Sequence, residues 1–130
     1  MRKQNTEYMV SHLKEIEAIR VPMPPDYVEH ANYKFYCFLD PKKLKVGWDR
    51  DRIISRLIEL GIPCFSGSCS EVYLEKAFRS GNLAPEKALP NAKLLGETSL
   101  MFLVHPTLGL DHMEMVSTKV IEVLKKASIK

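Results

Sequence analysis

Only three cysteines and one tryptophan occur in 130 residues, and the longest uncharged apolar run is Ser99–Leu110. Three is an odd number for a disulfide framework, so reduced thiols in a cytoplasmic compartment are expected. The apolar run falls well short of the roughly 20 residues that a membrane-spanning helix needs. An apolar-cored signal peptide does not fit either, because Met1–Arg20 is charged and periodic. A strong charge of one sign is also missing: 19 Lys and Arg stand interspersed with 16 Asp and Glu, net +3. That balance is too mild to point to nucleic acid. Neither GxGxxG nor GxxxxGK is present, so no phosphate-cradling loop of those kinds exists. The histidines make no HxH or HExxH pair.

What remains is an ordinary globular composition with eight prolines, which exclude a coiled coil. At 14.9 kDa the chain fits one domain, residues 1–130, able to bury about two-thirds of its unfolded surface. Residues 2–18 read as a leading helix, with Met9, Leu13 and Ile16 recurring at helical spacing. Ile19–Met23 is extended, and Pro22, Pro24 and Pro25 keep it out of a sheet centre. Tyr33–Leu39 is a strand, apolar on both faces except for Lys34, so both sides need cover. Asp49 as N-cap, the stripe Ile53, Ile54, Leu57 and Ile58, and Gly61 at C′ mark a second helix.

Ile62–Phe65 reads as a further strand. Ser68 followed by Glu71 fits a capping box, predicting a helix over Cys69–Phe78. Asn91–Gly96 is a short helix and Leu100–Val104 a strand. The last helix, about Leu110–Ala127, aligns Met113, Val116, Val120, Val123 and Leu124. The fold class is therefore α+β, with a small antiparallel sheet of two to four strands packed against helices.

Few residues carry chemistry. Cys64 and Cys69 have no second pair nearby, and Cys37 is remote, so buried thiols are expected rather than a metal site. His12 and His112 fall on charged helix faces, while His30 and His105 stand at strand ends, where site residues gather and where a structural hydrogen bond is the simpler of the two readings. The richest segment is Gly67, Ser68, Cys69, Ser70, Glu71 and, beyond it, Tyr73. Free N–H groups at a helix start there favour an anion. Plain capping by Ser68 and Glu71 is the simpler reading, and Glu71 repels an anion. No catalytic, cofactor-binding or metal-ligating residue is assigned.

Several runs resemble a known family. His30-Ala31-Asn32-Tyr33-Lys34-Phe35-Tyr36, then Asp49-Arg50-Asp51 leading to Leu60-Gly61-Ile62-Pro63, is similar to a stretch of the DegT/DnrJ/EryC1/StrS sugar aminotransferases. Leu89-Pro90-Asn91-Ala92-Lys93-Leu94-Leu95 and Ser99–Leu108, with its His105-Pro106, continue the likeness in order and spacing. The likeness spans the family's C-terminal small domain in fold-type-I enzymes, so it implies that the N-terminal large domain is missing from these residues. It also implies a parent that uses pyridoxal phosphate, forms a homodimer, and moves an amino group, typically from glutamate, to a nucleotide-linked keto-sugar. None of that cofactor is expected on this chain alone, and neither nucleic acid nor membrane is implied as a partner.

One departure matters. Where many members carry a Tyr-x-Pro-x-His-like segment near the sugar nucleotide, this chain has Cys64–Glu71. The loop position carries over and its side-chain chemistry does not. Gly67–Glu71 and Tyr73 are accordingly expected to face substrate. The alternative is a free-standing, non-catalytic binding or regulatory domain on the same scaffold. A lobe of this kind is also expected to expose apolar surface where the larger domain would pack.

Overall fold

The computed structural model of the chain describes residues 1–67 and 69–129. Among the described residues, five α-helices and four short strands follow one another: α1 Arg2–Leu13, β1 Ile19–Arg20, β2 Phe35–Leu39, α2 Arg50–Glu59, β3 Cys64–Phe65, α3 Lys76–Ser80, α4 Pro90–Thr98, β4 Ser99–Phe102 and α5 Leu110–Ala127. The strands form one fully antiparallel sheet in the order β1-β2-β4-β3. This is the expected α+β class. β1 lies at an edge, as its flanking prolines require.

Register decides what each face of the sheet does. Phe35 pairs with Phe102, Cys37 with Leu100, and Cys64 with Phe102. These residues point to one side and are buried with Met9 and Leu13 of α1, Ile53 and Leu57 of α2, and the stripe of α5. α5 packs between α1 and α2. The opposite, outer face carries Arg20, Tyr36, Phe38, Phe65, Ser99 and Met101, because strand side chains alternate. That face is partly covered, for Ser99 on it is buried and Gly67 lies against the Tyr36 ring. Met101 is buried yet stands outside the core cluster.

The helix ends follow local chemistry. Asp49 caps α2 by accepting from Arg52 N–H at 2.7 Å, and Gly61 takes the left-handed backbone at φ 78° just after it. α1 stops at Leu13 rather than continuing to residue 18. Ile16 N–H bonds to Leu13 O and Ile19 N–H to Ile16 O, turning the chain so that Ala18 and Ile19 enter the core. Buried Asn5 fastens α1 to the turn after β4 by donating to His105 O and Leu108 O at 3.1 and 3.0 Å.

Two other expectations change. Tyr33 lies outside β2 and is 69% exposed, with Arg2 and Lys34 over its ring. The helix over Cys69–Phe78 is absent among the described residues. A 3₁₀ turn at Val72–Leu74 and the short α3 replace it, separated by extended Glu75. Neither piece buries a residue, so no packing rewards a longer helix there.

Candidate functional site

The loop after β3 starts from a close approach. Gly67 adopts φ 89°, and a β-carbon there would stand 2.8 Å from Cε1 of Tyr36 on the outer sheet face. Only glycine takes both that backbone and that contact without strain. Ser99 Oγ donates to Ser66 O and pins the loop to β4. Beyond Gly67 the chain bounds a pocket of about 420 Å³ that also involves Arg50 and Gly96. Arg50 reaches across to donate to Gly96 O and pairs with Asp51 at 2.7 Å.

Of the residues expected to face a ligand, Gly67, Cys69, Ser70 and Glu71 line this pocket. Ser68 lies outside the described residues, so the capping box is not described at that end. At its other end Glu71 makes no side-chain cap. Its carboxylate instead accepts from the Tyr73 hydroxyl at 2.6 Å, and that hydroxyl accepts from Leu89 N–H at 3.1 Å. Tyr73 thus stands behind the wall and fastens it to the start of α4. The bond to Glu71 holds the Tyr73 phenol above its ordinary value.

The groups lining the pocket fit a neutral, hydroxyl-rich ligand better than an anion. Ser66 and Ser70 donate or accept, Arg50 donates, and Glu71 and Glu75 accept and repel negative charge. Cys69 donates to Glu75 at 3.4 Å, and that bond raises its thiol, so it is no activated nucleophile. Burial pushes Cys64 up to about 12 and Cys37 higher still. Among the described residues no three His, Cys, Asp or Glu converge as metal ligands. His30 bonds Asn32 and His105 bonds Thr107 Oγ1 at 2.8 Å, both within local turns.

A second, larger cleft of about 660 Å³ escaped the sequence reading. α1 walls it through Thr6, Val10 and Lys14, residues 22–32 close the other side, and Tyr36 and Phe38 floor it. The signal was present in β2, whose second apolar face requires a use, but the cleft exists only once residues 22–34 fold back beside α1. Tyr36 touches both features: its ring meets Gly67 on one side and lines the cleft.

Fold and site together define an α+β lobe with two ligand-sized hollows. The chain is 44% identical to part of an aminotransferase from Psychrobacter cryohalolentis, covering 97% of this chain and 34% of that one, with a TM-score of 0.90. A DegT DnrJ EryC1 StrS aminotransferase from Brucella abortus matches at 20% identity and TM-score 0.74, covering 93% of this chain and 30% of that one. A sugar aminotransferase from Micromonospora echinospora matches at 15% identity and TM-score 0.75, covering 93% and 29%. The chain therefore has the fold of one domain of the DegT/DnrJ/EryC1/StrS-type sugar aminotransferases, as a C-terminal small domain would, and spans about a third of their length. No protein-family model and no curated protein matches it.

Pyridoxal phosphate, the cofactor usual in such enzymes, does not fit the described residues alone. Its Schiff-base chemistry needs an amine in a desolvated site with fixed partners. Every described lysine is exposed or half-exposed.

Proposed function

We propose that this chain serves as the small domain of a pyridoxal-phosphate-dependent aminotransferase acting on nucleotide-linked keto-sugars for polysaccharide or lipopolysaccharide synthesis. The near-complete alignment of this chain with a third of an aminotransferase at 44% identity carries the reading. In such a protein the cofactor and its lysine belong to the larger domain, and the working enzyme is a homodimer. The small domain closes over substrate. Gly67, Cys69, Ser70 and Glu71 face the sugar, and Tyr73 holds Glu71 in place. The glutamate-type amino donor reaches the same centre.

The polar make-up of the loop pocket supports the sugar assignment over the diphosphate. Glu71 and Glu75 disfavour phosphate, while hydroxyls of a pyranose ring match serine, carboxylate and guanidinium partners.

The purified chain tests this. Titrated with pyridoxal phosphate and supplied with glutamate and a keto-sugar nucleotide, it is expected to show no bound-cofactor absorbance and no turnover. Turnover by the isolated chain contradicts the assignment of chemistry to a larger domain.

A further inference from the structure

We infer that Arg50 selects the ligand of the loop pocket, and that what it selects is an uncharged sugar ring presenting two adjacent hydroxyls. The inference rests on the function proposed above and goes further by naming the selecting group and the feature it reads.

Arg50 differs from the other cations that form ion pairs among the described residues. Its side chain is 21% exposed, whereas each of the others is at least 40% exposed. It stands at the first position of α2, whose Ile53 and Leu57 are fixed in the core. From there Nη1 donates to Gly96 O, in the last turn of α4, where carbonyls lack helical partners. Nε and Nη2 both meet Asp51 Oδ1, at 2.8 and 2.7 Å. These structural bonds use three of the five N–H groups of an arginine. The other two, one on each terminal nitrogen, have no partner among the described residues, and Arg50 lines the pocket.

The other charged groups of the pocket define what can fill those two donors. Glu71 accepts from the Tyr73 hydroxyl and Glu75 from the Cys69 thiol, and each carboxylate keeps lone pairs for a further donor. The pocket therefore asks for ligand atoms that accept from Arg50 and donate to a carboxylate. A hydroxyl does both, whereas a carboxylate or phosphate oxygen only accepts. Charge points the same way, because a guanidinium already paired with Asp51 shares the pocket with two carboxylates, which repel an anion. Donors on two nitrogens of one planar fork suit two oxygens on neighbouring carbons.

Gly96 seats the loop beside this group. A β-carbon there would collide with Ser70 Oγ and stand 3.0 Å from Ser70 Cβ. Ser70 thus rests on the helix turn that supplies the partner of Arg50, and its hydroxyl joins the guanidinium in one pocket wall.

Nuclear magnetic resonance titrations of the isolated chain test the assignment without cofactor or amino donor. The probes are methyl glucopyranoside, its 3-deoxy counterpart, which has no two adjacent hydroxyls, and glucuronate, which adds a carboxylate to the same ring. The glucopyranoside should shift the Arg50 Nε–H and Ser70 amide signals. The 3-deoxy probe should bind about tenfold more weakly, and glucuronate should also bind more weakly than the glucopyranoside. Arg50→Lys keeps the charge but loses the fork, so it should bind the glucopyranoside and the 3-deoxy probe alike. Asp51→Asn, at an exposed position, keeps the fork and removes its counter-charge, so preference should move towards glucuronate. That variant decides the matter if Arg50→Lys fails to fold, and an unmoved preference in it overturns the inference. Undiminished discrimination by Arg50→Lys, glucuronate bound more tightly than the glucopyranoside by the parent chain, or no shift with any probe also overturns it. Each of these outcomes leaves the function reading standing, because none involves amine transfer. Turnover by the isolated chain removes that reading and leaves the ligand preference.

Discussion

Gly67 lies against the ring of Tyr36 so closely that no side chain fits between them, and this contact sets where the loop leaves the sheet. The backbone there is left-handed at φ 89°, so alanine meets both strain and collision. Gly67→Ala should cost about 1–3 kcal/mol by urea unfolding. It should also displace Tyr36, visible as a changed chemical shift of its ring. Gly61→Ala, with nothing within 4 Å of its β-carbon, should cost only the backbone strain, about 1 kcal/mol.

Tyr73→Phe removes the one hydroxyl that joins Glu71 to Leu89 N–H. The segment from Glu71 to Leu89 should loosen while the core stays intact. Leu89 should exchange faster by nuclear magnetic resonance, with the melting temperature unchanged. Because the phenol is held above its ordinary value of 10, its bond to Glu71 is complete below pH 10 and is lost as pH rises through the higher folded value, whereas the phenolate still accepts from Leu89 N–H. The ultraviolet difference between parent and variant, which reports Tyr73 ionisation, should therefore appear above pH 10.

The thiols divide by burial. Cys37 and Cys64 sit in the core with raised values, and Cys69 is exposed. Iodoacetamide at neutral pH should label Cys69 alone in the native chain, slowly because Glu75 holds its proton. All three should be labelled in denaturant, as counted by mass spectrometry.

Glu122 accepts from Lys126 at 2.9 Å and Lys119 at 3.2 Å, which together lower its carboxyl below the usual 4.5. A lowered value means stability present above pH 4.5 and lost as pH falls through the folded value. Glu122→Gln should flatten that part of the acid unfolding limb, and added salt should narrow the difference.

Leu100 faces the core in register with Cys37 and is fully buried. Leu100→Ala should cost about 2–5 kcal/mol. Exposed Tyr27→Ala should stay within about 0.5 kcal/mol. Guanidinium unfolding of both variants checks the division between core and surface.

Elements whose signals are local were legible in the sequence. Asp49 and Gly61 bracket α2, and the stripe from Met113 to Leu124 marks α5 over its full length. Where tertiary demands compete, local signals mislead. The helical pattern of residues 2–18 ends early because Ala18 and Ile19 are needed by the core and by Leu39. The expected capping residue Glu71 is taken by Tyr73, two positions on, and no core lies beneath residues 69–78 to hold a helix. Four of the loop residues do share one pocket, because they follow one another after β3. The larger cleft needs residues 22–38 to fold back beside α1, and no spacing in the sequence records that.

In the function proposed above, this chain supplies a substrate-closing lobe and a larger domain supplies the chemistry. A fusion in which the chain replaces the matching third of the Psychrobacter cryohalolentis enzyme tests this by amine transfer from glutamate to a keto-sugar nucleotide. Cofactor absorbance and turnover are expected in the fusion, with turnover reduced by Gly67→Ala. A fusion that folds, binds cofactor and transfers nothing, or one that is indifferent to Gly67→Ala, contradicts it.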